Sequence, residues 1–258
     1  MAYTFYMLIT APNFMRECDV VIDPSFGPFN ISQNLSNKIV FLNTDYFEKV
    51  IPYLTKASNV TLIVHHSDRF FDRIMFESIR ANVKHVFARN CDFLHPMITQ
   101  IPIGFVDSPP IPGPYMTKTR VDDSILKKFR NLEIEKDTYV YTNVSIHGEE
   151  EKFFPVNALR EACTKVYPNS EKVSFERYMI MLRRAKYVPC PMGFGIDTHR
   201  FYEAAYMKAR PVVITSCLDA MYRMFGAVIL QSWSDPLPEW TEPDVREELF
   251  HTNFWLKE

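Results

Sequence analysis

The sequence predicts an α/β fold in two halves, on three observations. Short apolar, β-branched runs alternate with helix-period segments along the chain, the pattern of parallel strands joined by crossover helices. A stretch with no hydrophobic period, Asp107-Ser-Pro-Pro-Ile-Pro-Gly-Pro-Tyr115, breaks that alternation near the middle. The length, 258 residues, falls between one and two domains at the usual ~150 residues per domain. The division drawn is residues 1–108, a linker over 109–120, and 121–258. Ligands of such sheets bind at the carboxyl ends of the strands, here in the cleft between halves.

In the first half the expected strands are Tyr3–Ile9, Asp19–Ile22, Lys38–Leu42, Val60–His65 and Lys84–Ala88. Helical periods fill Asp45–Lys56 and Phe70–Ala81. In the second half strands are expected at Thr138–Thr142, Lys186–Pro189, Pro211–Thr215 and Ala227–Leu230. Helices are expected at Glu150–Val166, Phe175–Arg184, Thr198–Lys208 and Leu218–Met224, with a final one at Pro243–Phe250.

Composition narrows the function classes. At 47% hydrophobic and 23% charged the chain has a globular balance and can bury one large core or two modest ones. Net charge is −2 and neither half is basic, which argues against a dedicated nucleic-acid binder. No apolar window of about 18 residues exists, so no membrane span is expected. The N-terminus lacks the basic start and the cleavage site of a secretory signal, and a soluble cytoplasmic protein is expected. Five scattered cysteines with no C-x-x-C pair suit reduced thiols rather than a zinc site, with Cys190 and Cys217 as core fillers.

Glycine is scarce: 7 residues, where average usage gives roughly 18. Two of them, Gly193 and Gly195, fall in Cys190-Pro-Met-Gly-Phe-Gly-Ile-Asp-Thr-His-Arg-Phe-Tyr-Glu203. A strand ends at Pro189 and a helix begins after Asp197. Strand, glycine turn and helix N-terminus make an anion cradle, because the first helical N–H groups have no partner inside the helix. The full G-x-G-x-x-G fingerprint is absent, since Thr198 stands where the third glycine would be. Arg200 in the first turn opposes the helix macrodipole, so helix stability does not account for it; a bound diphosphate would. Glu203, three residues on, shares that face and suits ribose hydroxyls. The competing reading is purely structural: Asp197 caps the helix and Arg200 pairs with Glu203.

The segment Ser174-Phe-Glu-Arg-Tyr178, the run Tyr187 to Ala204 and Arg210-Pro-Val-Val213 resemble exostosin-like glycosyltransferases. His66-Ser-Asp68, Phe87-Ala-Arg-Asn90 and Ile101-Pro-Ile-Gly104 resemble the matching half of small bacterial and giant-virus members. The resemblance covers roughly residues 60 to 235. It implies a GT-B fold, two Rossmann-like domains facing a central cleft, in which the second binds a UDP-sugar donor and the first a glycan acceptor, and the final helix crosses back. By the same resemblance Arg200 faces the diphosphate and Glu203 the ribose. Gly193, Phe194, Gly195, Asp197 and the amides of Thr198 and His199 surround the phosphates, and Phe175 and Tyr178 border the uracil. Asn143, ending a strand, can face the donor or serve as a turn residue. No two of the 14 aspartates are spaced D-x-D, the metal-holding motif of GT-A transferases. No cofactor other than the donor substrate is expected, and no metal. Met192 and Phe194 narrow the sugar pocket, which favours a compact sugar such as xylose.

An inverting transfer needs a base for the acceptor hydroxyl. Val60-Thr-Leu-Ile-Val-His-His-Ser-Asp68 closes a buried strand with polar groups, and the candidates are Asp68, Asp72 and His66. Asp68 lies in the family-like motif; Ser67 or Asp68 acting as a helix cap is its structural alternative. His65 and His66, adjacent on a strand, point to opposite faces and suit a shared metal poorly. The reading is an inverting, metal-independent UDP-sugar glycosyltransferase. Its rivals are a nucleotide-sugar epimerase or hydrolase and a non-catalytic nucleotide-sugar binding protein.

Overall fold

The computed structural model describes residues 7–24, 34–106, 123–146 and 156–257. The chain divides into two compact units, Met1–Arg120 with His251–Glu258, and Val121–Phe250. The whole proline-rich segment over 109–120, the first residues of the strand expected at Tyr3–Ile9 and the start of the helix expected at Glu150–Val166 lie outside the described residues. Both units are α/β with wholly parallel sheets, as the alternation of the sequence implies.

The first unit carries strands β1 (Val20–Ile22), β2 (Ile39–Asn43), β3 (Val60–His65), β4 (Val83–Ala88) and β5 (Ile98–Gln100), side by side in chain order. Helices α1 (Ala11–Met15), α2 (Phe47–Leu54) and α3 (Arg73–Ile79) flank them. Because β2, β3 and β4 are sequential neighbours and crossovers are right-handed, α2 and α3 fall on one face of the sheet. Val50, Leu54, Phe76 and Ile79 of these helices and Val40, Leu42, Leu62, Val64 and Val86 of the strands are fully buried in one core. On β3 the last four residues are all buried, so the strand reads as a continuous apolar run rather than an alternating one. The chain end belongs here as well. Leu8 bridges His251 antiparallel, the Thr252 amide donates to the Met7 carbonyl, and helix α9 (Thr252–Trp255) follows.

The second unit carries β6 (Thr138–Val140), β7 (Ala185–Pro189), β8 (Arg210–Ile214) and β9 (Val228–Leu230), again parallel and in chain order. Its helices are α4 (Asp123–Arg130), α5 (Val156–Val166), α6 (Phe175–Arg184), α7 (His199–Tyr206) and α8 (Asp219–Met224). Residues Phe201 to Tyr206 of α7 are all buried, so this helix lies inside the unit rather than on its surface.

Several elements depart from the sequence reading. Phe70 and Phe71 do not join the helix expected from Phe70: Phe71 bridges Cys91, and Asp72 caps α3 through its side chain on the Met75 amide (2.8 Å). Asp72, not Ser67 or Asp68, is therefore the cap. The helix expected from Asp45 opens as a 3-10 turn, Thr44–Tyr46, because the Asn43 side chain takes the Asp45 amide. The final helix expected at Pro243–Phe250 is only a 3-10 turn, Glu247–Phe250. Packing wins there: Phe250 sits edge-on against Tyr206 (5.0 Å) and Phe225 (5.3 Å). Unanticipated are α1, α4, α9 and β5, the last being three half-buried residues. Cys190 is buried as expected, whereas Cys217 is half-buried.

Gly104 is the glycine the first unit cannot replace. Its φ is +72°, and a Cβ there would lie 2.2 Å from the Ile9 carbonyl oxygen, next to the Phe105 amide that bonds the same carbonyl. Gly104→Ala should lower the unfolding free energy by more than about 1 kcal/mol. Urea denaturation measures it, and an unchanged midpoint would contradict this account of the turn.

Candidate functional site

In the second unit the loops after β6 and β7 meet the start of α7. The Gly193 amide closes a tight turn onto the Gly195 carbonyl (3.1 Å). A Cβ on Gly193 would lie 3.4 Å from Arg160 Nη2 and 3.6 Å from the Thr198 methyl, so the turn is pressed against a guanidinium and the helix start. Arg160, from α5, donates through Nε to the Met192 carbonyl (3.2 Å) and through Nη1 to the Ser145 carbonyl (2.7 Å). Burial, and then the charge of Arg200, push its pKa below the usual value. Two cations thus repel one another at one end of the sheet.

Arg200 leaves the first turn of α7 with Nη2 donating to the Asn143 carbonyl and its guanidinium 5.4 Å from the Tyr178 ring. Its Nη1 is shielded from solvent and has no hydrogen-bond partner among the described residues. A buried guanidinium nitrogen in that state is costly, and an anionic oxygen is the partner that satisfies it best. Among the described residues Arg200 and Glu203 make no direct salt bridge, although the Glu203 charge is one of those that raise the Arg200 pKa. Instead Glu203, buried on α7, accepts from the Tyr178 hydroxyl (2.9 Å). Burial pushes the Tyr178 pKa well up, which keeps the hydroxyl a donor.

Asp197 is buried and accepts from Tyr202 (2.7 Å), Tyr222 (3.1 Å) and the Thr198 amide (3.0 Å). The Thr198 amide, expected at the phosphates, is thus occupied by Asp197, and Asp197 itself is tied to the turn and to two tyrosines. His199 and Phe194 are half-buried, as is Phe175 at the start of α6. Tyr178, expected beside uracil, donates to Glu203 and lies under the Arg200 guanidinium, its ring 6.2 Å from that of Tyr141. The Asn143 side chain donates to Tyr141 and to the Glu171 carbonyl, as a turn residue does, and only its backbone carbonyl meets Arg200.

Beside this cluster lies a mainly apolar pocket of about 80 Å³. Its wall includes Cys190, Met192, Ile196, Thr215, Tyr222 and Trp233. Met192 lines this pocket and Phe194 does not. Trp233 also packs edge-on against Tyr167 (6.3 Å).

In the first unit the polar groups sit at strand ends. Asp68, half exposed, pairs with the buried Arg89 (3.1 Å). Asp72 is occupied as the α3 cap. His65 and His66 do diverge: His65 packs by Phe14 (ring centroids 5.2 Å) with Nε2 3.2 Å from the Pro102 carbonyl, while His66 Nδ1 lies 2.6 Å from Asp23 Oδ2. Among the described residues no group of three or more His, Cys, Asp or Glu is placed to hold a metal ion, and no helix is long and apolar enough to cross a membrane.

Sequence reasoning passed over Asp23 and Arg160. Asp23 follows directly on the strand expected at Asp19–Ile22, the position where strand-end chemistry is found, and was readable in that sense. Arg160 sits in a helical segment like any surface arginine, and no pattern marks it as inward. No family model matches the chain, and no curated protein matches it.

Asp197→Ala leaves two tyrosine hydroxyls and one amide without their acceptor. It should lower the unfolding free energy by about 2–4 kcal/mol, and Tyr222→Phe by only about 1 kcal/mol. Equal effects of the two variants in urea denaturation would contradict the proposed role of Asp197.

Proposed function

We propose that the chain is an inverting, metal-independent glycosyltransferase of the GT-B type, moving a sugar from a UDP-sugar to a glycan hydroxyl. The observation that carries this reading is the pair of guanidiniums at the Gly193 turn, Arg160 and Arg200, with the Arg200 Nη1 buried and unpartnered among the described residues. A diphosphate supplies what that pair lacks. In a sugar transfer the bond from C1 to the diphosphate oxygen breaks, and negative charge builds on the leaving UDP. Fixed cations aimed at that oxygen stabilise the transition state more than the ground state. The resemblance of Tyr187 to Ala204 to exostosin-like transferases supports the same assignment, and the missing D-x-D motif agrees with leaving-group stabilisation by side chains.

The adjoining pocket, walled by Met192, Thr215, Ser216, Tyr222 and Trp233 among others, is small and mainly apolar with three hydroxyl-bearing residues. It suits one compact unit of the donor, and xylose is the sugar we favour. Glu203, steadied by Tyr178, keeps a carboxylate within reach of the ribose in this reading.

The test is UDP binding in EDTA. Saturating UDP at ~100 times its Kd should stabilise the wild-type chain by about 2.7 kcal/mol, read as a rise in Tm. Arg200→Met should lose about 1.5–3 kcal/mol of UDP affinity, roughly 10- to 100-fold, while uridine affinity changes little. Turnover then separates the classes. UDP released only in the presence of an acceptor supports a transferase; an epimerised donor or acceptor-independent hydrolysis contradicts it. Loss of UDP binding on metal removal would overturn the metal-free site.

A further inference from the structure

Three neighbouring parallel strands of the first unit end on polar residues that meet one another. Asp23 follows β1, Asn43 closes β2, and His66 follows β3. His66 Nδ1 and Asp23 Oδ2 are 2.6 Å apart; the Asp23 side chain is wholly buried and that of His66 is 24% exposed. Asn43 Nδ2 donates both to Asp23 Oδ2 (3.2 Å) and to the His66 carbonyl (2.9 Å), fixing carboxylate and histidine backbone together. His66 holds φ at +60°, in the left-handed region. Positive φ is uncommon for any non-glycine residue, although histidine, like Asn and Asp, enters that region more readily than most. Such backbone strain persists where surrounding contacts fix it, and it clusters at sites of chemistry.

These contacts set the chemistry of the ring. A buried carboxylate against Nδ1 favours the tautomer with the proton on Nδ1, so Nε2 carries the lone pair. The same carboxylate stabilises the imidazolium that forms when Nε2 takes a proton. The two carboxylates favoured by sequence motif are engaged elsewhere, Asp68 with Arg89 and Asp72 with the α3 amide. We propose that His66 is the general base of the transfer and Asp23 its positioning residue. The proposal rests on the transferase reading for the identity of the hydroxyl, and on the first unit alone for its geometry. In the step, the acceptor oxygen forms its bond to C1 of the sugar as the C1–O bond to UDP breaks, and that bonding pair leaves on the β-phosphate oxygen. The acceptor hydroxyl proton goes to His66 Nε2 and then to solvent.

The test uses the full chain, UDP-xylose or UDP-glucose as donor, and p-nitrophenyl glycosides as acceptor probes, with UDP release as the readout. His66→Ala should lower kcat ~10²- to 10⁴-fold with the donor KM within a few-fold, and added imidazole should restore part of the rate. Asp23→Asn should lower kcat by a similar factor while UDP binding is kept, because an amide no longer enforces the Nδ1–H tautomer. The nitrogen NMR shifts of His66 should report that change, which a merely structural role would not produce. Should Asp23→Asn fail to fold, imidazole rescue of His66→Ala carries the test by itself. Activity of His66→Ala within ten-fold of wild type, or a dead His66→Ala that imidazole does not rescue, overturns the assignment. So does a loss of turnover confined to Asp68→Asn or Asp72→Asn, which would move the base to that carboxylate. A wild-type chain that binds UDP and releases none from any donor overturns the transferase reading itself, and the base with it.

Discussion

The second unit is organised around a charge in an unfavourable place. Arg200 opens a buried helix from the end where the macrodipole already favours anions, and its Nη1 has neither solvent nor a partner among the described residues. Each neighbour can be understood as a response to that. Tyr178 offers the guanidinium its ring face and gives its hydroxyl to Glu203. The Asn143 carbonyl takes Nη2, and the Asn143 side chain is tied down to Tyr141 and Glu171 so that this carbonyl stays in place. Asp197, with its two tyrosines, keeps the turn before the helix from relaxing. Arg160 adds a second cation rather than a counter-ion. A fold selected for stability alone has simpler solutions, since apolar side chains in such positions are often neutral or stabilising. On the proposed function, the cluster is a site prepared for an anion.

The first unit reaches its chemistry by a different route. Its sheet runs β1 to β5 in chain order, so the carboxyl ends of consecutive strands lie side by side. One residue at or just beyond each strand end is then enough to assemble a network. Asp23, Asn43 and His66 are 20 and 23 residues apart in sequence and within hydrogen-bond distance in space. Just beyond β4, Arg89 meets Asp68. Polar residues buried at these ends include Asp23, Asn43, Arg89 and Asn90, against a core that is otherwise apolar.

Much of this could be read from the chain. The strands at Val60–His65 and the helix at Phe175–Arg184 match the hydrophobic pattern residue for residue, because long buried runs and a Ser174 cap leave little ambiguity. The Gly193 turn and Arg200 stood out because glycine is scarce and the cation opposes the dipole. What could not be read is of two kinds. Short elements such as Ile98–Gln100 have too few residues for a period, and the 3-10 turn at Glu247–Phe250 is decided by Phe250 packing on distant aromatics. Partnerships are the other kind. Nothing in the sequence says that Asp72 serves a helix, that Tyr178 serves Glu203, or that Asp23 meets a histidine 43 residues away.

The account stands on the anion that completes Arg200. A crystal structure of the chain with UDP, grown in EDTA, tests it most directly. The account predicts a diphosphate oxygen within hydrogen-bond distance of Arg200 Nη1, at the Gly193–Gly195 turn and within reach of Arg160. UDP bound with its phosphates away from both arginines, or held there only through a divalent ion, would contradict it.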